Sequence, residues 1–251
     1  MNMPINAAIV GLGRWGELLV SSVDDSQTIK FTAAITRTPS KVKEFCAVRN
    51  MSLSSDLDDV LNDDTIDAIV IATPHSQHFN QIMAAAAAGK HVYCEKPWTL
   101  NAGEAQTSLR ALADAGLKAG IGHNRRFAPN TLAMKKILDD GELGTPVHMD
   151  GHFHANLAPA GGAWRDSRAE SPAGGMTSMG IHVLDMFINL FGRIRDVQVQ
   201  SKQVATPIDI DDSTLVRINF ESGCTGHLTS LSATNMMWRI SVFCLGGWVE
   251  M

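Results

Sequence analysis

A charged amine ends an apolar run in the stretch GKHVYCEKPWTL, residues 89–100. Lysine is almost never fully buried unless it is paired. The proline after Lys96 restricts the backbone there and makes a cis peptide bond possible. At the carboxyl end of a strand, the Lys96 ammonium group could stabilise a developing alkoxide and donate or relay a proton. On these residues alone, a solvated lysine at the end of a surface strand is the simpler interpretation.

The stretch GLGRWG has the spacing of a dinucleotide-binding turn. It follows the apolar run NAAIV and opens the helical run RWGELLVSSV, which is the context that this motif requires. Gly11 permits a tight turn, Gly13 lets the backbone approach a pyrophosphate, and Gly16 lets the helix pack closely on the sheet. The start of the helix, with Arg14 and Trp15, then faces the anion. The alternative is a glycine-rich turn that binds nothing.

The end of the second predicted strand indicates which dinucleotide binds. About 20 residues after the glycines, an acidic residue would bind the ribose diol of NAD. This chain instead has ITRTPSK, with Thr36, Arg37, Thr38 and Lys41 and no carboxylate. The planar guanidinium of Arg37 can bind a 2′-phosphate, so we predict NADP(H) as the preferred cofactor and NAD(H) as a possible one. Alternatively, Arg37 and Lys41 are ordinary surface charges.

The order of predicted elements indicates two domains. Up to residue 123, short apolar runs alternate with helical runs, which predicts a doubly wound parallel sheet of the Rossmann type. Ligands bind such sheets at the carboxyl ends of the strands. From residue 124 to 251, two helical runs accompany several consecutive β-like runs, which predicts an α+β domain with an open, mostly antiparallel sheet. We therefore expect domains at 1–123 and 124–251.

Six motifs together resemble the glucose-fructose oxidoreductase / inositol dehydrogenase (Gfo/Idh/MocA) family. They are GLGRWG, IATPHSQH, GKHVYCEKP, GHNRRFAP, GELG and GGMTSMGIHVLD, and they occur in the order and spacing of that family. The resemblance runs from about residue 5 to the last residue. It implies an NAD(P)-dependent oxidoreductase that acts on the CH–OH groups of sugars, cyclitols or related polyols. It also implies a homodimer or homotetramer that assembles through the exposed face of the C-terminal sheet.

The resemblance assigns roles to several residues. Lys96 matches the family's lysine beside the nicotinamide, where it hydrogen-bonds the reacting oxygen of the substrate. Glu95 orients Lys96 or pairs with it. The remaining matches are a loop over the cofactor, comprising Thr73, Pro74 and His78, and two residues after the last Rossmann strand, Asn124 and Arg126. Arg126 is expected near both the nicotinamide and the substrate, whereas His75 could be merely solvated.

His182 is the second catalytic candidate. In the predicted helix MTSMGIHVLDMFINLF, one face carries Ile181, Leu184, Ile188 and Phe191, and the other carries Ser178, His182, Asp185 and Asn189. A histidine on a polar stripe can titrate near neutral pH. Asp185, one turn on, either fixes the imidazole tautomer or is structural. Many relatives have an aspartate four residues before this histidine, where this chain has Ser178, so Lys96 and His182 must suffice for proton transfer.

Two further groups of residues could bind ligands. Trp164 and Arg165 in the stretch GGAWRDSR suit a sugar or acid substrate, although a surface loop packed by its tryptophan is an equal alternative. Asp150, His152 and His154 alternate and share one face of a strand. Three such residues could bind a metal, but no fourth ligand stands out, and we expect no metal.

Composition narrows the class of protein. The 251-residue chain has 21 Lys plus Arg and 26 Asp plus Glu, and its net charge of −5 argues mildly against nucleic acid or an anionic membrane as partner. No apolar run is long enough to span a bilayer, and the N-terminus lacks the basic region of a signal peptide. The four cysteines have no CxxC spacing and read as reduced residues of a cytoplasmic protein.

Three functions remain open from the sequence. The first is an NADP(H)-dependent oxidoreductase that uses Lys96 and His182. Because family members typically exceed 300 residues, the chain reads as C-terminally shortened, which favours as the second a catalytically weak NADP-binding or regulatory protein. The third is a redox-neutral glycosidase that holds NAD. Turnover of NADPH with carbonyl substrates, binding without turnover, and glycoside cleavage distinguish the three.

Overall fold

The computed structural model describes residues 4–157 and 164–251. Within this range the chain forms two compact units, Met1–Gly122 and His123–Met251, a boundary one residue before the one expected from the sequence. The first unit is a parallel Rossmann sheet and the second contains a mostly antiparallel sheet, which confirms the predicted fold class.

Six parallel strands and five helices build the first unit. The strands are β1 (Ile5–Val10), β2 (Ile29–Ile35), β3 (Ser52–Ser54), β4 (Ala68–Ile71), β5 (His91–Cys94) and β6 (Ala119–Ile121). The helices are α1 (Arg14–Ser21), α2 (Lys43–Val48), α3 (Asp58–Leu61), α4 (His78–Ala87) and α5 (Ala102–Asp114). The strand order β3-β2-β1-β4-β5-β6 reverses between β1 and β4, and that reversal is where doubly wound sheets bind ligands.

The central strands are apolar because helices cover both sheet faces. In β1 and β4, Ala8, Ile9, Ile69 and Ile71 are completely buried, as expected for a parallel sheet inside a doubly wound fold. Two details differ from the sequence prediction. The short strand β3 was missed, because SLS carries little apolar signal. The helix expected from Ser40 is a 3₁₀ turn at Pro39–Lys41 followed by α2.

Six strands and two helices build the second unit. The helices are α6 (Pro129–Asp139) and α7 (Ile181–Phe191). The strands are β7 (Pro146–Asn156), β8 (Ile194–Lys202), β9 (Ser213–Phe220), β10 (Thr225–Leu231), β11 (Ala233–Cys244) and β12 (Gly247–Glu250). The order in this second sheet is β12-β11-β7-β10-β9-β8. Among the pairings of its described strands, β7–β10 is parallel and the others are antiparallel. Strand β11 begins six residues earlier than the run RISVFC predicted.

Helix α7 packs on the sheet through a face different from the predicted one. Val183, Met186 and Phe187 are completely buried, whereas Ile188 is 41% exposed. A Cβ at Gly151 of β7 would lie 2.7 Å from the Phe187 ring, so this strand admits the helix only because it has a glycine there. The predicted apolar stripe through Ile188 is therefore not the face that packs most closely on the sheet. Val183, Met186 and Phe187 form a second apolar stripe in the same helix, and the sequence pattern does not distinguish the two.

The opposite face of the second sheet is polar. Asp150 and His152 alternate with buried Gly151 and Phe153 along β7, so they lie on this other face as predicted. Assembly through this face stays a prediction. Across the two described segments, 4–157 and 164–251, no helix is long and apolar enough to cross a membrane. The cysteines Cys46, Cys94, Cys224 and Cys244 are all free thiols.

The carboxylate of Asp212 holds the loop between β8 and β9. It is 3% exposed and accepts the backbone N–H groups of Val204, Ala205 and Thr206 at 3.0, 2.8 and 2.7 Å. Burial alone would raise the pKa of Asp212, but these donors hold it below its ordinary value. The carboxylate therefore stabilises the fold above its ordinary pKa, and that stabilisation is lost as the pH falls through the lower pKa of the folded state.

We expect Asp212→Ala to lower the free energy of unfolding by about 2–4 kcal/mol at pH 7, because three backbone N–H groups, of which that of Thr206 is buried, lose their acceptor. The difference from the wild type should shrink at acid pH. Urea unfolding at pH 7 and at pH 3.5 measures both effects. Asp209→Ala, at an exposed carboxylate in the same loop, is the matched control and should change stability by less than about 0.5 kcal/mol. Equal effects of the two substitutions would contradict the assignment.

Candidate functional site

The glycine turn after β1 has the conformation that its sequence predicts. Gly11 has φ +97°, and a Cβ there would lie 2.6 Å from the carbonyl oxygen of Ala72. A Cβ at Gly16 would collide with the carbonyl oxygen of Gly11. Gly13 differs from both, since a Cβ there would meet nothing within 4 Å. Gly11 and Gly16 are thus required by the turn itself, while the space at Gly13 remains open for a ligand.

Backbone donors face this open space. Helix α1 begins at Arg14, and the first intrahelical bond of the turn runs from Glu17 N to Gly13 O at 2.9 Å. The amides of the first helical turn have no carbonyl before them within the helix, so they can donate to an anion. The side chains of Arg14 and Trp15 are exposed beside them. This arrangement fits the pyrophosphate of a dinucleotide.

Strand register brings two further loops to the same edge. Val10, Ile71 and Cys94 are aligned across β1, β4 and β5. Ala72 N donates to Val10 O at 2.8 Å, and Glu95 N donates to Ile71 O at 2.9 Å. Thr73 and Lys96 therefore each lie two residues beyond an aligned position. The Lys96 side chain is partly exposed, and its peptide bond to Pro97 is cis.

Glu95 is buried beneath this edge. Its side chain is 8% exposed, and its Oε2 accepts the backbone N–H of Lys96 at 3.3 Å. A Cβ at Gly122 would lie 2.5 Å from Glu95 Oε1, so the carboxylate occupies the space that this glycine leaves after β6. The contact fixes the backbone that carries Lys96. Whether Glu95 orients Lys96 or pairs with it stays a prediction.

His78 ties the Thr73 loop to the Lys96 loop. Its ring is completely buried, with Nε2 at 3.1 Å from Thr73 O and Nδ1 at 2.8 Å from Pro97 O. The Thr73 hydroxyl donates to Gln81 Oε1 at 2.6 Å. Because the His78 side chain is fully enclosed, its contacts hold the two loops together, and its role in cofactor binding stays a prediction. His75, for which the sequence allowed a solvated ring, is instead buried, with its ring centroid 5.8 Å from that of His78.

The loop that follows β2 carries two exposed cations. Thr36 N donates to Ser54 O of β3 at 3.0 Å, which fixes the start of the loop. Arg37 and Lys41 follow in exposed positions, and Pro74 of the Thr73 loop is partly exposed. Among the ion pairs of the described residues, neither Arg37 nor Lys41 takes part in one. The loop therefore offers positive charge that the described protein does not neutralise.

Asp185 in the second unit binds Arg126. The guanidinium donates from Nε at 2.8 Å and from an Nη at 2.5 Å to the two carboxylate oxygens. His123 Nε2 lies 3.8 Å from the same carboxylate. Asp185 is 7% exposed, and the bidentate bond raises the pKa of Arg126. Of the two roles open to Asp185 in the sequence, the bidentate bond to Arg126 favours the structural one.

His182 lies at the start of α7, next to aromatic rings. Its ring centroid is 6.3 Å from that of His123 and 6.2 Å from that of Phe153. Ser178 lies in the preceding π-helical turn, which is a conformation often found at functional sites. His182 is partly exposed. The partly exposed ring can exchange a proton with a ligand.

The other predicted site residues are placed as follows. Asn124 is exposed in the 3₁₀ turn Asn124–Phe127. The Arg165 guanidinium lies over the Trp164 ring, with Cζ 4.1 Å from the centroid. The first part of the predicted loop GGAWRDSR, residues 161–163, lies outside the described residues.

The strand face of Asp150, His152 and His154 does not form a metal centre. His148 Nε2 lies 3.2 Å from Asp150 Oδ1, His152 Nε2 lies 3.1 Å from an Arg239 nitrogen, and His154 Nδ1 accepts Leu231 N at 3.2 Å. Each group thus faces a different protein partner. In the described parts of the chain, no set of three His, Cys, Asp or Glu side chains is arranged to hold a metal ion.

Sequence reasoning missed Arg125. Its guanidinium Cζ lies 3.9 Å from the centroid of the Trp238 ring and 5.0 Å from that of Phe153. The adjacent Arg126 was identified by family resemblance, and nothing in the local sequence distinguishes the two arginines. Only the pairing of β7 with β11, which sets Trp238 opposite Phe153, creates the site that Arg125 occupies.

Family comparisons agree with the fold of both units. Residues 5–123 match a model described as an oxidoreductase family with an NAD-binding Rossmann fold. Residues 131–250 match the model of the GFO/IDH/MocA C-terminal domain. Together the two matches include nearly all of the chain.

Individual relatives are 26% to 29% identical to this chain over the aligned residues. The scyllo-inositol 2-dehydrogenase (NADP(+)) IolW of Bacillus subtilis is 28% identical over 75% of this chain and 52% of its own length. The scyllo-inositol 2-dehydrogenase (NAD(+)) of the same organism is 29% identical over 91% of this chain and 67% of its own length. The crystal structure of an NAD binding oxidoreductase from Klebsiella pneumoniae superposes with a TM-score of 0.89 at 26% identity, covering 99% of this chain and 73% of that one. The chain thus spans about half to two thirds of the length of these curated relatives.

The Arg126–Asp185 pair should stabilise the second unit asymmetrically. We expect Arg126→Ala to cost more than Asp185→Ala, because the first leaves a buried carboxylate without its bidentate donor, whereas the partly exposed arginine can still reach water. A double-mutant cycle on urea unfolding should give a coupling energy of about 1–3 kcal/mol.

The exposed Lys135–Asp139 pair of α6 is the matched control for this cycle. Its coupling energy should be about 0.5 kcal/mol or less. A coupling energy of that small size between Arg126 and Asp185 would show that the bidentate contact contributes no more than a surface ion pair.

Proposed function

The chain belongs to the Gfo/Idh/MocA oxidoreductase family, and from this premise we propose that it transfers a hydride between a nicotinamide cofactor and a sugar-, cyclitol- or polyol-like alcohol or carbonyl. The observation that carries the proposal is the edge of the first sheet. There the open turn at Gly13 and the partly exposed Lys96 lie at the ends of strands belonging to one parallel sheet. The relatives named as inositol dehydrogenases support the substrate class.

The residues of the first unit fit a dinucleotide. The amides of the α1 start and the space at Gly13 suit a pyrophosphate, and Thr73 and Pro74 lie in the next loop along the same edge. When bound, the nicotinamide supplies a hydride acceptor or donor at its C4 atom. The protein's share of the chemistry is to bind the substrate, orient its reacting carbon and move the proton.

Lys96 acts on the reacting oxygen in this proposal. In the direction of carbonyl reduction, its ammonium group donates a hydrogen bond to the carbonyl oxygen and stabilises the alkoxide as negative charge develops. In the direction of alcohol oxidation, the same hydrogen bond stabilises the oxygen as its proton leaves. Glu95, bonded to the backbone N–H of Lys96, keeps the lysine at this position.

His182 transfers the proton in this proposal. The imidazole donates a proton to the new alkoxide during reduction and accepts it from the alcohol during oxidation, since an imidazole group can serve as either acid or base. Ser178, at the position where many relatives have an aspartate, is a hydroxyl that can hydrogen-bond a substrate but is no base near neutral pH. Arg126, Trp164, Arg165 and Asp185 complete the proposed set of substrate-site residues.

We also propose that NADP(H) is preferred over NAD(H). The unneutralised cations Arg37 and Lys41, together with the hydroxyl of Thr36, suit a 2′-phosphate. Relatives of both cofactor types occur, one named for NADP(+) and one for NAD(+). Assembly of two or four copies through the polar face of the second sheet belongs to the same proposal.

Lys96→Met and His182→Asn should each lower kcat by about 100- to 10,000-fold while changing cofactor affinity by less than about threefold. The first removes the charge that stabilises the alkoxide, and the second removes the group that moves the proton. Steady-state NADPH oxidation with keto-sugars and inososes, combined with fluorescence titration of NADPH, measures both quantities. Lys118→Met, at an exposed lysine in the loop before β6, is the control and should retain full turnover. Retained turnover in both site variants would refute the roles assigned to them.

Arg37→Ala should raise the KM for NADP⁺ by about 10- to 100-fold and leave the KM for NAD⁺ nearly unchanged, because only NADP⁺ carries the 2′-phosphate. The measurement is the ratio of kcat/KM for the two cofactors in the variant and in the wild type. Lys43→Ala, an exposed cation at the start of α2, is the control. An unchanged ratio in Arg37→Ala removes this residue from cofactor selection.

A further inference from the structure

Two adjacent arginines in the turn after β6 have opposite environments. Arg126 gives its guanidinium to Asp185 in a bidentate bond. The guanidinium of Arg125 instead lies against two aromatic rings, those of Trp238 in β11 and Phe153 in β7. Across the described ranges 4–157 and 164–251, the guanidinium of Arg125 makes no hydrogen bond and no ion pair with a protein oxygen. The charge of Arg126 is therefore neutralised, and that of Arg125 is not.

The position of Arg125 is costly for a cation that has no anion. Its side chain is partly buried, and this burial lowers the pKa of Arg125 from its ordinary value. Arginine nevertheless stays protonated in proteins, so a positive charge remains in this half-buried position. Contact with aromatic faces offsets part of the desolvation, but the rings donate no lone pairs to its N–H groups.

The stacking leaves the recognition edge of Arg125 available. At 3.9 Å from the Trp238 centroid, the guanidinium carbon lies in contact with the ring face. The N–H donors of a guanidinium lie in its own plane, and the Arg125 side chain is only partly buried, so we infer that these donors can reach a ligand. Such a fork matches two coplanar oxygens held about 2.2 Å apart, the geometry of a carboxylate.

The same aromatic ring links this cation to the proposed proton-transfer residue. The Phe153 ring lies 5.0 Å from Arg125 Cζ and 6.2 Å from the His182 ring, measured between centroids in the second case. Arg125 and His182 thus neighbour the same aromatic side chain, and we infer that a six-carbon substrate with its reacting oxygen near His182 extends its distal group toward Arg125.

We propose that the substrate carries a carboxylate, as in a sugar acid, and that Arg125 stacked on Trp238 binds it. This inference rests on the proposed oxidoreductase function and narrows its substrate class. A phosphate monoester presents the same negative oxygens. The carboxylate is favoured because a single planar guanidinium can bind both of its oxygens. A second cation for a phosphate is not supplied by the neighbouring Arg126, which is bonded to Asp185.

The test uses sugars that differ only in charge at one carbon. D-glucose, D-glucuronate and D-glucose 6-phosphate differ at C6, and D-sorbitol, D-gluconate and D-galactonate extend the comparison. Binding to the NADP⁺-loaded protein is measured by calorimetry, and turnover is measured by NADPH formation. The variants are Arg125→Leu, Arg125→Lys and Trp238→Leu, with Arg193→Leu, an exposed arginine of the same unit, as the control.

The expected result is that at least one sugar acid binds the wild type at least about tenfold more tightly than its neutral analogue. Arg125→Leu should weaken that binding by about 30- to 100-fold and leave the neutral analogue unchanged, which is the effect of losing a charge-assisted bidentate hydrogen bond. Arg125→Lys should restore only part of the affinity, because it keeps the charge and loses the fork. The affinity of Trp238→Leu for the sugar acid should lie between those of Arg125→Leu and Arg125→Lys, and the affinity of Arg193→Leu should equal that of the wild type.

Several outcomes overturn the inference. They are equal binding of acids and neutral analogues, binding of no sugar acid, a preference for the 6-phosphate alone, or a sugar-acid preference that survives in Arg125→Leu. The proposed function fails in a different way, through absence of NADPH formation with both neutral and acidic sugars while sugar-acid binding still depends on Arg125. Thermal melting of each variant shows that it is folded before binding is measured.

Discussion

Parallel strand register is the constraint on which the first unit's site depends. Because Val10, Ile71 and Cys94 are aligned in adjacent strands, the residues that follow them emerge at one edge of the sheet. Three loops far apart in sequence thus become neighbours without any contact designed between their side chains. Helix packing on both faces fixes the alignment, since it requires these strands to be apolar throughout. The packing of these buried strand residues therefore determines which of the following residues lie at the edge.

The two lysines that flank β5 show how position decides the role of a charge. Lys90 precedes the strand and is 6% exposed, and its ammonium group donates to the carbonyl oxygens of Asp63 and Ile66 at 2.8 and 2.9 Å. It serves the fold by bonding backbone groups at the amino edge of the sheet. Lys96 follows the strand and is partly exposed at the carboxyl edge. The same residue type, six positions apart, is buried and bonded to backbone carbonyl groups at one end and partly exposed at the other. Two neighbouring arginines of the second unit also differ in environment, since Arg126 is bonded to Asp185 whereas Arg125 lies against aromatic rings.

The sequence predicts local features well where the backbone geometry permits a single residue type, such as glycine in a tight turn. Gly11 and Gly16 were correctly assigned because the turn excludes any Cβ at those positions. Periodicity did not identify the packed face of α7, because the helix carries two apolar stripes, one through Ile188 and one through Val183, Met186 and Phe187. Arg125 could not be distinguished from Arg126, since its aromatic neighbours come from strands that pair only in the folded sheet. Prediction therefore succeeds for constraints within a few residues and fails for those set by long-range pairing.

The central claim is that a dinucleotide binds at the glycine turn, and Gly13 tests it most directly. A Cβ at Gly13 would meet nothing within 4 Å, and we therefore expect Gly13→Val to leave the melting temperature of the unliganded protein nearly unchanged. The same side chain would occupy the space in which the pyrophosphate approaches the backbone. Calorimetric titration of this variant with NADP⁺ and NAD⁺ is the decisive measurement. The account predicts at least about a 100-fold loss of affinity for whichever nucleotide binds the wild type. Undiminished binding by a folded Gly13→Val protein would contradict it.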